Sequence, residues 1–351
     1  MATTRKYIQE QRLWEIRRQA QQQAAVYNIQ SIRSSIPTER ATAETGYYNL
    51  PALKPPAWSW EVPVYFFTGG AAGAAAVLAA AARRRSVNHD VVRDAQWLAA
   101  IGGMVSPALL IADLGMPSRF LGMTRVFKIQ SPMSVGSWTL MTFSSAAAAT
   151  TMLAEIQRRT GRRVPILSKA AEFASVLSGL VLTTYTGVLI GATAIPAWNE
   201  NISTLPVHFA ASGLASAVSI LELRGHRTAA LNKLAIGAAT AETITGARLE
   251  IHREPASETL RTGRTGWSMR AAGLLSGPVP LFLRLLSFGV STRRRTQLHT
   301  AAAVSALAGS FVTRLAWVEA GRASANNPSV PLELPQLPNT SSLAKSQRTS
   351  T

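Results

Sequence analysis

The chain has 351 residues, 47% of them hydrophobic and only 15% charged, yet its net charge is +18, and its mean hydropathy is positive. That is more apolar than a soluble domain of this length needs, and with no cysteine the sequence excludes thiolate-held iron-sulfur clusters, c-type haem and disulfides in this chain. Lysine and arginine gather in short clusters between long apolar runs, with no aromatic-interleaved basic face, so the charge belongs to membrane loops rather than to a nucleic-acid binder.

Residues 1–57 are polar and basic and read as a solvated or interfacial extension, with a helix-like stretch from Gln9 to Gln23 that carries Leu13, Trp14 and Ile16. The start has no short basic region followed by an apolar run and a small-residue cleavage site, so no secretory signal peptide is expected. Pro51, Pro55 and Pro56 stop any helix, and Trp58 and Trp60 stand where an aromatic belt belongs.

Eight apolar segments follow, each about 20 residues long and so able to cross a hydrocarbon core. They cover 61–82, 94–114, 133–156, 169–195, 203–223, 229–251, 268–290 and 298–319. The sixth is interrupted by Glu242, Arg248 and Glu250, and the seventh by Pro278, Pro280 and Arg284. The segments are rich in Ala, Gly, Ser and Thr, and Gly69 with Gly73 has the small-xxx-small spacing that lets helix backbones approach. The fold expected is all-α and integral to the membrane, a tightly packed bundle.

Between the second and third segments lies D-L-G-M-P-S-R-F-L-G-M-T-R-V-F-K-I-Q-S-P-M-S-V-G-S-W, residues 113–138, with Asp113, Arg119, Arg125 and Lys128 in a few turns of chain. Charges at the membrane rim are expensive and usually functional. Pro117 and Pro132 bracket a basic amphipathic stretch, Ser118 to Ile129, that reads as a short helix lying on the membrane face as a lid.

Basic residues near the segment ends number 15 on the odd connections, from Arg83 to Arg295, and 7 on the even ones. By the positive-inside rule the odd loops are cytoplasmic, and the termini and the lid face the outside, the periplasm of a bacterium. From residue 321 the chain reads as a disordered tail rich in Pro, Ser, Asn and Thr.

The text W-S-W-E-V-P-V-Y-F-F-T-G-G-A-A-G from Trp58, D-L-G-M-P-S-R-F from Asp113, R-V-F-K-I-Q-S-P-M-S-V-G-S-W from Arg125, Y-T-G from Tyr185 and P-A-W-N from Pro196 together resemble the NrfD family. This is the membrane subunit of polysulfide-reductase-like molybdoenzyme complexes, and the resemblance runs over residues 58–320. It implies eight transmembrane helices in two four-helix bundles, set in the bacterial inner membrane, and a menaquinone or ubiquinone near the outer face with no haem in this subunit. It also implies a ferredoxin-like iron-sulfur partner and, beyond it, a molybdenum or tungsten catalytic subunit. The sequence departs from the pattern in lacking an evident first-helix His, where it has Glu61 and Tyr65, and in its N-terminal extension.

A quinone needs hydrogen-bond partners for two carbonyl oxygens and a route for two protons, while the cofactor supplies the redox step. Polar groups at the outer ends of the first four helices are Glu61, Tyr65, Asp113, Arg119 and Tyr185. Asp113 and Arg119 either pair structurally across a turn or position the head group and relay its protons. Arg125 and Lys128 face lipid headgroups or dock the acidic side of the iron-sulfur partner. Glu155, Glu172, Glu222 and Glu250 lie in or near the segments, and Glu155, Glu222 and Glu250 are close enough to segment ends to pair with neighbouring arginines. Glu242 stands apart as a candidate for a proton path, with His208 the deepest of five histidines. Alternative readings are a redox-inactive scaffold, a proton-translocating module, or a secondary transporter, the last weakened by the lack of an internal repeat.

Overall fold

A computed structural model of the protein describes residues 53–85, 88–251 and 260–326, with only the backbone of Pro117, Arg119 and Leu121. The stretch around Leu13 and Trp14, most of the N-terminal extension, His252 and Arg253, and the C-terminal tail from residue 327 lie outside these residues.

The described chain is helical with no strand. Its elements are α1 (Glu61–Arg84), α2 (His89–Leu114), α3 (Pro117–Met123), α4 (Pro132–Thr160), α5 (Pro165–Gly191), α6 (Pro196–Asn199), α7 (Leu205–Leu223), α8 (Ala229–Ile251), α9 (Gly263–Ser276), α10 (Pro278–Leu286) and α11 (Thr292–Asn326). Proline opens α3, α4, α5, α6 and α10, where its missing N–H and fixed φ suit a first helical position. Gly115 and Gly161, at φ 67° and 71°, close α2 and α4 in the left-handed conformation that glycine adopts without strain.

Among the described residues five helices, α1, α2, α5, α7 and α11, are long and apolar enough to cross a membrane. The seventh apolar segment is not one helix but two, α9 and α10, broken where Gly277 meets Pro278. The lid helix is shorter than its prolines suggested and stops at Met123. Beyond it, the Ser134 side chain accepts from Lys128 N at 3.0 Å and donates to Val126 O at 3.2 Å, which holds the turning return to α4 outside helical geometry. At the other end of the chain, α11 runs on to Asn326, past the expected boundary at residue 320. Its last turns are buried: Ser324 Oγ accepts from Ala197 N at 3.2 Å, and Gly321 lies flat against the Trp198 ring.

α1 lies at the centre, packed on α2, α5, α7 and α11. Around it α2 packs on α4 and α4 on α5, while on its other side α7 packs on α8 and α11, and α9 and α10 pack on α8 and α11. Two ends are distinguishable by their side chains. At the lid end, Asp113 of α2 accepts from Ser59, Arg322 of α11 donates to the Trp58 carbonyl, and Trp58 stacks on Trp198 with ring centroids 5.2 Å apart. At the arginine end, Arg83 pairs with Glu172 at 2.6 Å and Arg224 with Asp94 at 3.1 Å, and Glu155 accepts from Arg158 and Arg159.

Glycine permits the close approach of α1 to its neighbours. A Cβ on Gly73 would lie 2.5 Å from Gly179 O, and one on Gly213 would lie 2.8 Å from Gly70 O, in both cases against rigid backbone. Gly73→Ala is therefore expected to cost about 1–3 kcal/mol by overpacking, seen as a lower thermal-unfolding midpoint in detergent. Gly237→Ala, in α8, where a Cβ meets nothing within 4 Å, is the matched substitution expected to leave the midpoint unchanged or slightly raised.

Candidate functional site

α7 begins at Leu205 with proline next, and His208 follows within its first turn, buried between α8 and α11. Its Nδ1 lies 2.9 Å from Thr245 Oγ1 and 3.4 Å from Glu242 Oε2, both on α8. With the Thr245 hydroxyl hydrogen directed to Ala241 O at 2.8 Å, the neutral imidazole is assigned the tautomer that donates from Nδ1 and accepts at Nε2. Glu242 is buried and accepts from Ser276 Oγ at 2.8 Å, at the last residue of α9 before the break. Its other oxygen, Oε1, is buried with no partner.

Arg314 of α11 completes the cluster. It is buried, donates from Nη2 to Phe209 O at 3.0 Å, holds its guanidinium 3.7 Å from the Phe209 ring centroid, and lies within electrostatic reach of Glu242. Its Nε and Nη1, and Nε1 of nearby Trp317, are buried without partners. Unmade hydrogen bonds of this kind cost about 1–3 kcal/mol each. Four such atoms in one neighbourhood mark a place arranged for polar partners that enter from outside the chain, a ligand or internal water.

A cavity of about 350 Å³ opens beside this cluster, at the lower end of the ligand-pocket range of roughly 300–1,000 Å³. Its walls are mainly apolar, with Gly246, Met269, Leu274 and Pro278 prominent, and His208, Glu242 and Thr313 are among its polar lining. Glu250, Arg261 and Arg270 also line it, Arg270 Nε donating to Glu250 Oε1 at 2.8 Å. The helix break at Gly277 serves this geometry: a Cβ there would lie 2.9 Å from Thr243 N, so α9 and α8 meet closely just where Ser276 reaches Glu242.

The residues expected from the sequence fall into three places. Glu242 and His208 are brought together. Glu61, Tyr65 and Tyr185 lie on α1 and α5, away from that cavity's lining: Tyr65 is buried, Glu61 Oε2 is buried without a partner, and the Tyr185 hydroxyl donates to Pro132 O at 2.6 Å while its ring fills the space beside Gly136. Asp113 accepts from Ser59 N at 3.0 Å and from Ser59 Oγ at 2.5 Å, which ties the end of α2 to the entry of α1. The Arg119 side chain lies outside the described atoms, so its pairing with Asp113 does too. Arg125 and Lys128 are exposed on the lid beside the exposed Phe127 and Ile129. The arginine pairing expected near segment ends is present for Glu155, with Arg158 and Arg159, and for Glu250, with Arg270, whereas Glu222 pairs not with a neighbouring arginine but with buried Arg284 of α10, its neighbour Arg224 being held by Asp94.

Sequence reasoning missed Arg314, Thr245 and Ser276. Arg314 carried a legible signal, a cation in the middle of an apolar run, by the rule that singled out Glu242. The two hydroxyls carried none, because Ser and Thr are common throughout these helices.

At the arginine end of the same helices, Arg284 of α10 forms a second buried cluster. It donates to both Glu222 oxygens at 2.5 and 2.9 Å and to Asn232 Oδ1 at 2.9 Å, and Ser287 joins it to His299 at 2.9 Å.

In comparison with known proteins, a family model described as polysulfide reductase, of the NrfD type, matches residues 44–326, more than half of the chain. No curated protein matches it.

Proposed function

The chain belongs to the NrfD-type polysulfide reductase family, a family of membrane subunits of redox complexes, and on that premise we propose that it is the quinone-reactive membrane subunit of a respiratory oxidoreductase. In this reading it exchanges electrons between menaquinone or ubiquinone and a ferredoxin-like iron-sulfur partner, which leads to a molybdenum or tungsten catalytic subunit. The helices make eight crossings in two groups of four, α1, α2, α4 and α5 beside α7, α8, α9 with α10, and α11. The arginine end is cytoplasmic and the lid end periplasmic, in a bacterial inner membrane. Exposed Arg125 and Lys128, with Phe127 and Ile129, offer the partner a basic and apolar footing.

The observation that carries this reading is the apolar cavity closing on a buried acid and base with unfilled hydrogen-bonding capacity. Apolar walls suit a quinone ring, and the lining His208 and Glu242, the latter with an unpartnered buried oxygen, suit its polar atoms. Oxidation of a bound quinol releases two electrons and two protons. His208 Nε2 and the Glu242 carboxylate are placed to hold those protons, and Glu250 at the cavity lining offers them an onward acceptor. In this reading the proton path of Glu242 and His208 and the quinone site are one place, and Asp113 and Tyr185 take structural roles through Ser59 and Pro132 O.

Photolabelling of the native complex with an azidoquinone tests this. Label is expected on the segment between Glu242 and Leu274, competed by excess quinone. Label on Tyr65 or Tyr185 would move the head group to the first helix group, and absence of competed label on this chain would sink the quinone reading. The second polar cluster, around Arg284 and Glu222 at the opposite end of the same helices, favours one alternative, a proton-translocating module of the same complex.

A further inference from the structure

Where α1 ends and α8 begins, a groove of about 430 Å³ separates the two helix groups at the arginine end. Leu78, Val91, Leu221 and Leu231 line it, so its walls are apolar, while Arg85 and Lys233 stand among its lining residues and are exposed. Neither cation has an ion-pair partner among the described residues. The acid on the neighbouring face of α2, Asp94, is already held by Arg224 Nε at 3.1 Å and His226 Nε2 at 2.9 Å, so it does not neutralise them.

Two uncompensated cations over an apolar groove, at the charged end of membrane-spanning helices, are complementary to a phosphodiester carrying an acyl chain. A free phosphate would use the cations but gain nothing from the walls. A neutral lipid would use the walls but leave the cations unmatched. We infer that this groove binds an anionic phospholipid, its phosphate at Arg85 and Lys233 and an acyl chain along Leu78, Leu221 and Leu231, where it fills the seam between the helix groups.

The test is native mass spectrometry of the full chain, purified and equilibrated with phosphatidylglycerol and phosphatidylcholine. The protein is expected to keep phosphatidylglycerol selectively, and R85Q/K233Q to weaken that binding by about fivefold for each cation removed. R85K/K233R restores it, and R162Q/R163Q, on an exposed turn at the same end, leaves it unchanged. Undiminished retention by R85Q/K233Q, no recovery in R85K/K233R, or an equal loss in R162Q/R163Q would overturn the assignment. Displacement of the lipid by millimolar inorganic phosphate would overturn it too, by making the groove a phosphate site.

Discussion

Glu242→Gln in the assembled complex is expected to lower quinol oxidation by about 100-fold or more, the lower end of what a positioned acid-base group contributes. Glutamine keeps the volume of the side chain and an oxygen for Ser276 Oγ, which lies 2.8 Å from Glu242 Oε2, so α8 and α9 stay joined and the complex assembles. What is lost is the proton-binding site and the negative charge opposite Arg314. His208→Gln, which removes the titratable imidazole, is expected to fall by a similar factor, and the double variant little further, because the two act as one unit. Tyr185→Phe is the internal reference: its hydroxyl is bound to Pro132 O, so turnover stays within about threefold while stability drops by about 1 kcal/mol for the lost hydrogen bond. Stopped-flow reduction of the iron-sulfur partner by quinol measures all four. Full turnover in Glu242→Gln, or a collapse in Tyr185→Phe, would place the chemistry elsewhere.

Glu222→Ala should be the most destabilising single change at the arginine end. It leaves the Arg284 guanidinium, buried and otherwise bonded to Asn232, without its counter-ion, and breaking a buried pair from one side costs about 3–5 kcal/mol. That is a large part of the stability of an ordinary fold, so little folded protein is expected in the membrane. The paired replacement Glu222→Leu with Arg284→Met is expected to recover most of the loss, since an apolar pair of similar volume has no charge to desolvate. Thermal unfolding in detergent, read beside membrane abundance, separates the cases. If the double variant is as unstable as the single one, the pair holds α7, α8 and α10 in a way that packing cannot replace.

Much of the helical plan was legible in the sequence because it is local. Pro117 and Pro132 were legible as helix starts, and the prolines at 165, 196 and 278 and the glycines at 115 and 161 act by the same local backbone geometry, although the fourth segment was drawn from residue 169 rather than Pro165. The break near Pro278 was visible as an interruption, and the pairing of Glu155 and Glu250 with arginines followed from the cost of leaving a carboxylate alone near apolar surroundings; that Glu222 meets Arg284 across the bundle did not. The lid was drawn too long because its prolines were visible and the capture of Lys128 N and Val126 O by Ser134 was not.

Lateral order was decided only by the tertiary structure. His208 and Glu242 were each legible as buried polar residues, but they stand on different helices, and nothing in their spacing says that the two rings of contacts coincide. That depends on how α7 crosses α8, which is fixed by the sum of close approaches such as Gly70 to Gly213 and Gly73 to Gly179. In helices so rich in Ala, Gly, Ser and Thr, many faces are alike, and periodicity does not select one. The structure selects the face that brings Glu242 and His208 to one cavity with Arg314 buried close by, because buried polar groups share the cost of burial only when they are together.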